Sequence, residues 1–203
     1  MRKQIYISAD YSKTDGDLEV VTTLTRWGND NRHIINFLDM SQVVSGSVSN
    51  NPDCRVCDLK QEFNKQINAS SATIFIVGSN TALRTAGSIC PRTTSDWVNS
   101  FCTPYKQNVN GYKRCKVPFT VPETANGDVG YINNYSYLQH EFEQAKKRNK
   151  KIIIVYNSFR KEISWLPSYM KGYESIAEPF WIKNVHGQKI GNYNYIKQEL
   201  GYV

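Results

Sequence analysis

Glu141 stands four residues after Tyr137 in the stretch YSYLQHEFEQAKKRNKKIIIVYNS, residues 135–158. On a helix, that spacing puts both side chains on one face. They lie one step round from an apolar stripe of Leu138, Phe142 and Ala145. A carboxylate at the edge of a cleft, shielded by an aromatic ring, can hold a sugar hydroxyl or stabilise an oxocarbenium ion. Glycosidic bond cleavage needs such a group, because positive charge builds on the sugar carbon in the transition state. The same pattern also suits a solvated glutamate near a helix amino terminus, where the helix dipole favours a negative charge.

A second set of candidates depends on the elements that would carry them. Near-continuous apolar runs are the mark of strands covered on both faces. Such runs occur at IYISA (5–9), HIINFLD (33–39), TIFIVG (73–78) and KIIIVYN (151–157), with EPFWIK (178–183) as a weaker fifth. Helical patterns lie between them. DLEVVTTLTRWGN (17–29) puts Leu18, Val21, Leu24 and Trp27 on one stripe, and DLKQEFNKQINAS (58–70) opens on Asp58 as its cap. The helix over 136–149 has Ser136 as its cap, and NYNYIKQEL suits a last short helix. Strands alternating with helices predict an α/β fold, an open parallel sheet of about five strands joined by right-handed crossovers. The chain reads as one domain over 1–203, with a long insertion at 82–134 before the fourth strand's helix. That insertion is rich in Gly, Pro, Asn and Thr but also aromatic, so it reads as packed rather than as a linker.

In an open parallel sheet, ligands bind beyond the carboxyl ends of the strands. The groups there are Asp10, Tyr11 and Ser12 after the first run, Asp39 after the second, and Gly78, Ser79, Asn80 and Thr81 after the third. Gly78 suits a sharp backbone turn there, and Ser79 and Asn80 can donate hydrogen bonds. Neither GxGxxG nor GxxxxGK[ST] is present, nor a GxSxG nucleophile elbow. His33, His140 and His186 form no metal signature, and His140 reads as a solvent-facing helix residue, with substrate contact as the alternative.

The formal charge of +7 suits anionic partners without identifying one. The densest basic run, Lys146, Lys147, Arg148, Lys150 and Lys151, falls at a helix carboxyl end and reads as structural. There is no nucleic-acid signature of interleaved basic and aromatic residues. No apolar run is long enough to span a bilayer, and the amino terminus lacks a signal-peptide core, so the expectation is a cytoplasmic protein. The five cysteines are odd in number and are expected to be reduced. CRVC has metal-ligand spacing, but no second pair or histidine completes it, and no metal site is assigned.

Four blocks in order carry a family likeness: KQIYISADYSKTDGD, HIINFLDMS, DLKQEFNKQINASSATIFIVGSNT and YLQHEFEQAKKRNKKIIIVY. Together they resemble the TIR-like family, particularly the bacterial TIR-like proteins of Thoeris antiphage defence. The resemblance implies a flavodoxin-like parallel sheet with helices on both faces. It also implies cleavage of the nicotinamide–ribose bond of NAD+, which is substrate rather than cofactor. The product would be ADP-ribose or a cyclic or conjugated ADP-ribose signal, read by a downstream effector protein. The aromatic-plus-glutamate block carries the catalytic role onto Glu141 and pocket shaping onto Tyr137. Ser8, Asp10, Tyr11, Ser79, Asn80 and Thr81 carry over as nucleotide contacts, and Asp39 joins them at the end of the second strand. Self-association is expected. The chain departs from the family in having Tyr137 where tryptophan is common, and in the insertion at 82–134 between GSNT and the glutamate helix. The alternative is a non-catalytic scaffold or nucleotide-sensing module of the same fold.

Overall fold

The runs richest in isoleucine and valine become the centre of one parallel sheet. A computed structural model describes residues 3–10, 17–30, 35–39, 52–85, 107–108, 111–112 and 136–202. The chain divides into two compact units. One comprises Met1–Ser41, Ile67–Arg84 and Ala145–Val203, the other Gln42–Gln66 and Thr85–Gln144.

The first unit is built on β1 (Lys3–Ser8), β2 (Ile35–Asp39), β3 (Ala72–Val77), β6 (Lys151–Tyr156) and β7 (Ala177–Pro179). All pair in parallel, in the order β2-β1-β3-β6-β7. Alternate residues face opposite sides of a strand. Ile5 and Ile7 therefore join one cluster with Ile74, Ile76, Ile153 and Val155. Tyr6, Phe75, Ile154 and Tyr156, between them, are also fully buried. This two-sided burial is why the strands read as unbroken apolar runs. Helix α1 (Asp17–Asn29) packs Val20, Val21 and Leu24 into the cluster, and α4 (Tyr193–Glu199) adds Ile196. The buried stripe of α1 is thus rotated from the one predicted: Leu18 and Trp27 remain partly exposed.

The fifth apolar run divides. Ala177–Pro179 lies parallel on β6. There Pro179, lacking a donor, is tolerated because the strand is at the sheet edge. The chain then enters an antiparallel hairpin of β8 (Trp181–Lys183) and β9 (Lys189–Gly191). The expected single strand over 178–183 is therefore two short ones.

Most of α2 (Pro52–Ala69) and of α3 (Tyr137–Lys147) belongs to the second unit, as does the short hairpin β4–β5 (Gln107–Asn108, Gly111–Tyr112). The start of α2 precedes the expected cap at Asp58, because Pro52 suits a first helical turn, where its missing N–H is not needed. The cap of α3 is as expected: the Gln139 N–H donates to Ser136 Oγ at 2.9 Å. Two residues past the end of the helix, Asn149 takes a left-handed φ of 51°, which turns the chain away from it. The basic run beyond is structural where its partners are seen. Lys150 Nζ donates to the carbonyls of Asn68 (2.8 Å) and Ser70 (2.7 Å), and Lys151 pairs with Glu199 at 2.6 Å.

Apart from the hairpin β4–β5, the 82–134 insertion lies largely outside the described residues, as does the loop expected at 44–53 before Pro52. Among the described residues, no helix is long and apolar enough to cross a membrane.

The hairpin is fixed to α1 through Gly191. A Cβ there would lie 2.6 Å from the Trp27 ring and 2.9 Å from Phe180. Gly191→Ala should therefore lose about 1–3 kcal/mol of stability in urea unfolding, the cost of overpacking a core.

Candidate functional site

Within the first unit, the predicted strand-end groups gather at the carboxyl edge of the sheet, but they are not equivalent. Ser8 is buried at the end of β1. Asp10, two residues on, forms an ion pair with Arg84 from the segment after β3. Asp39 ends β2, and its Oδ2 accepts from Thr25 Oγ1 at 3.4 Å. Ser79 is exposed and Asn80 half-buried. Thr81 is buried, and its Oγ1 accepts the Gly78 N–H at 2.8 Å, so it closes the turn on which Ser79 and Asn80 stand. Tyr11 lies outside the described residues.

The sequence reading missed the polar centre of this edge. Asp17, the first residue of α1, is only 1% exposed. Its Oδ1 accepts from Asn157 Nδ2 at 3.2 Å. Asn157 Oδ1 in turn accepts the Trp181 indole N–H at 2.8 Å, and its own N–H donates to the Val77 carbonyl at 2.9 Å. The network thus joins α1, the carboxyl ends of β3 and β6, and β8. It also explains Gly78. A Cβ at that position would lie 2.6 Å from Asp17 Oδ1, so the glycine is needed for close approach of the carboxylate and not, as predicted, for a sharp turn. An acidic residue opening a helix was visible in the sequence, but that pattern is common for dipole reasons alone. Nothing local marked Gly78 and Asn157 as its neighbours.

Tyr156, beside Asn157, is fully buried. Its hydroxyl has no hydrogen-bond partner among the described residues. Burial first, and then Glu174 and Glu178, raise its pKa above the ordinary tyrosine value.

The second unit carries Tyr137 and Glu141 on α3. Glu141 is only 4% exposed, which overturns the solvated-glutamate reading. His140 is fully buried, which corrects the expectation of a solvent-facing histidine. With Gln144, 5% exposed, they extend a polar stripe from the half-buried Tyr137 beside the apolar one of Leu138, Phe142 and Ala145. Two residues of α2 position this stripe. Phe63 meets the Tyr137 ring edge-on, with centroids 5.6 Å apart and planes at 86°. Asn64 Oδ1 lies 3.0 Å from His140 Nε2, so Nε2 carries the proton and the ring orientation is fixed. The sequence assigned no site role to Phe63 or Asn64. The partner of Asn64 lies 76 residues away in sequence.

Chemically, the second unit offers a carboxylate held out of water beside a tyrosine and an oriented imidazole. The first offers small polar groups and the Asp10–Arg84 ion pair at the sheet's carboxyl edge. Among the described residues, no three His, Cys, Asp or Glu side chains gather as a metal ion would require. No protein-family model matches the chain, and no curated protein matches it in sequence.

The Asp17–Asn157–Trp181 network yields a direct prediction. Asn157→Leu keeps the branched shape at Cγ, with slightly larger groups, but removes the partner of the Trp181 N–H and one partner of Asp17. Stability should fall by about 1–3 kcal/mol for each buried group left unsatisfied. Urea unfolding followed by tryptophan emission measures the loss, and a shift in the native emission reports the altered indole.

Proposed function

We propose that this chain is a TIR-like enzyme that consumes NAD+ by breaking the nicotinamide–ribose bond, with Glu141 as its catalytic carboxylate. The observation that carries the proposal is the burial of Glu141 within a polar stripe one turn from Tyr137. Removing a carboxylate from water costs several kcal/mol unless it is well engaged. Proteins depart from apolar packing in this way mainly where function requires it. A second observation supports the fold half of the reading. Numbered as parallel strands alone, the sheet order is 2-1-3-4-5, that of flavodoxin-like proteins.

The chemistry follows from charge. As the C–N bond to nicotinamide lengthens, the bonding pair leaves with the neutral base and the ribose carbon becomes an oxocarbenium ion. A carboxylate in a low-dielectric setting stabilises that cation far more than it would in water. Glu141 also accepts hydrogen bonds from the ribose hydroxyls, and Tyr137 shapes the pocket. Water then adds to the sugar carbon and loses a proton, giving ADP-ribose. If a nucleophile of the ADP-ribosyl group itself adds instead, the product is cyclic, and an external nucleophile gives a conjugate. Ser8, Asp10, Tyr11, Asp39, Ser79, Asn80 and Thr81 are assigned to nucleotide binding. The product serves as a signal to an effector protein in antiphage defence.

The test is nicotinamide release from NAD+ by concentrated protein, followed by chromatography and mass spectrometry, with Glu141→Gln alongside. The wild type should release nicotinamide, and the variant should be slower by about 100-fold or more while unfolding at a similar temperature. Silence of the folded wild type, even in lysate of phage-infected cells, would overturn the enzymatic reading in favour of a scaffold or sensor.

A further inference from the structure

None of the residues assigned to chemistry above lines a groove of about 810 Å³ on the first unit, between the outward face of α1 and β9. Its wall on one side is Thr22 and Arg26 of α1, and on the other Lys189 and Gly191 of β9, with Trp27 and Tyr193 between. The two rings are 4.6 Å apart and only half-buried, so they present apolar surface to a ligand.

The polar groups around it divide into those already engaged and those open. Lys189 Nζ is engaged: it pairs with Glu19 at 2.6 Å and lies 3.9 Å from the centroid of the Trp181 ring. Arg26 is exposed and forms no ion pair among the described residues. The hairpin leaves main-chain groups open as well. Asn184 N–H donates to the Gln188 carbonyl at 3.0 Å and Asn192 N–H to the Phe180 carbonyl at 2.7 Å. In an antiparallel ladder hydrogen-bonded pairs alternate, so these two bonds place Ile182 and Ile190 in the bonded pair between them. The N–H and C=O groups of Lys189 and Gly191 therefore point away from β8. They make no hydrogen bond among the described residues. An open edge of this kind is a template for another extended chain.

We propose that the outer edge of β9 and the groove beside it form a docking site for an extended, acidic peptide segment of a partner protein. The segment pairs its main chain with Lys189 and Gly191, rests an apolar side chain on Trp27 and Tyr193, and brings a carboxylate to Arg26. Charge decides the occupant. Glu19, on the same wall, compensates Lys189, so among the described residues Arg26 is the groove's uncompensated charge; edge-to-edge pairing of two copies of this chain would bring two Arg26 side chains together, and like charges disfavour it. The site is independent of NAD+ chemistry.

The test uses the full chain and a capped, fluorescein-labelled strand peptide of alternating valine and glutamate, followed by fluorescence anisotropy. Saturable binding is expected, with two losses: when lysine replaces glutamate, and when alternate amides of the peptide are N-methylated. Arg26→Glu, at an exposed position that tolerates the change, should weaken binding by roughly tenfold. Lys189→Pro removes the outward N–H but none used in pairing with β8, and should also weaken it. Absence of saturable binding would overturn the proposal. Equal binding of the N-methylated peptide would also overturn it, because the site would then read side chains and not a strand. So would self-association of the chain that Arg26→Glu alters while the acidic peptide fails to compete.

Discussion

The carboxylate of Asp17 is buried where α1 meets the carboxyl ends of β3 and β6, and the arrangement of that edge follows from it. A buried carboxylate must be satisfied locally. Asn157 supplies a donor, and Trp181 fixes Asn157 in turn. The negative charge also sits at the amino terminus of α1, where the helix dipole favours it. Gly78 leaves room for the carboxylate, and Thr81 then closes the turn that presents Ser79 and Asn80. Ser79 and Asn80 thus stand on a support that is itself polar, buried and hydrogen-bonded.

Helix α3 poses a related problem with a different solution. Its apolar stripe would suffice to bury one face, yet His140, Glu141 and Gln144 are buried as well. Such a helix gains little from hydrophobic transfer on its polar side and bears the desolvation cost of each group there. Phe63 and Asn64 lie side by side on α2 and orient Tyr137 and His140 respectively. Two adjacent residues of one helix thus set the direction of two rings on another. Rigid support of this kind is what a catalytic carboxylate's surroundings require.

The parts of this structure that could be read from sequence are those governed by local periodicity. KIIIVY and ATIFIV are too short and too uniformly apolar to be anything but buried strands, and they occupy the sheet's interior. Ser136 was recognisable as a helix cap because the capping bond spans only three residues. Reading failed where the deciding contact is long-range. The stripe of α1 is rotated because Asp17 anchors its first turn inward, which leaves Leu18 outward. The run at 178–183 divides because Phe180 N–H bonds to the Tyr156 carbonyl while Trp181 N–H bonds to Ser158, which turns the chain off the sheet. The burial of His140 depends on Asn64, which no local pattern near either residue announces. The strand-end positions were found by topology alone, but topology could not separate Thr81, which braces the turn, from Ser79, which stands open on it.

The central claim is that Glu141 stabilises a ribosyl cation released from nicotinamide. Base exchange tests it most directly, because the exchange requires the cation to be captured by a second base before water or another nucleophile consumes it. The folded protein is incubated with NAD+ and isotopically labelled nicotinamide, and the label is sought in NAD+ by mass spectrometry. The account predicts label in NAD+ for the wild type and none above background for Glu141→Gln. Exchange at the wild-type rate in the variant would contradict the role given to this carboxylate.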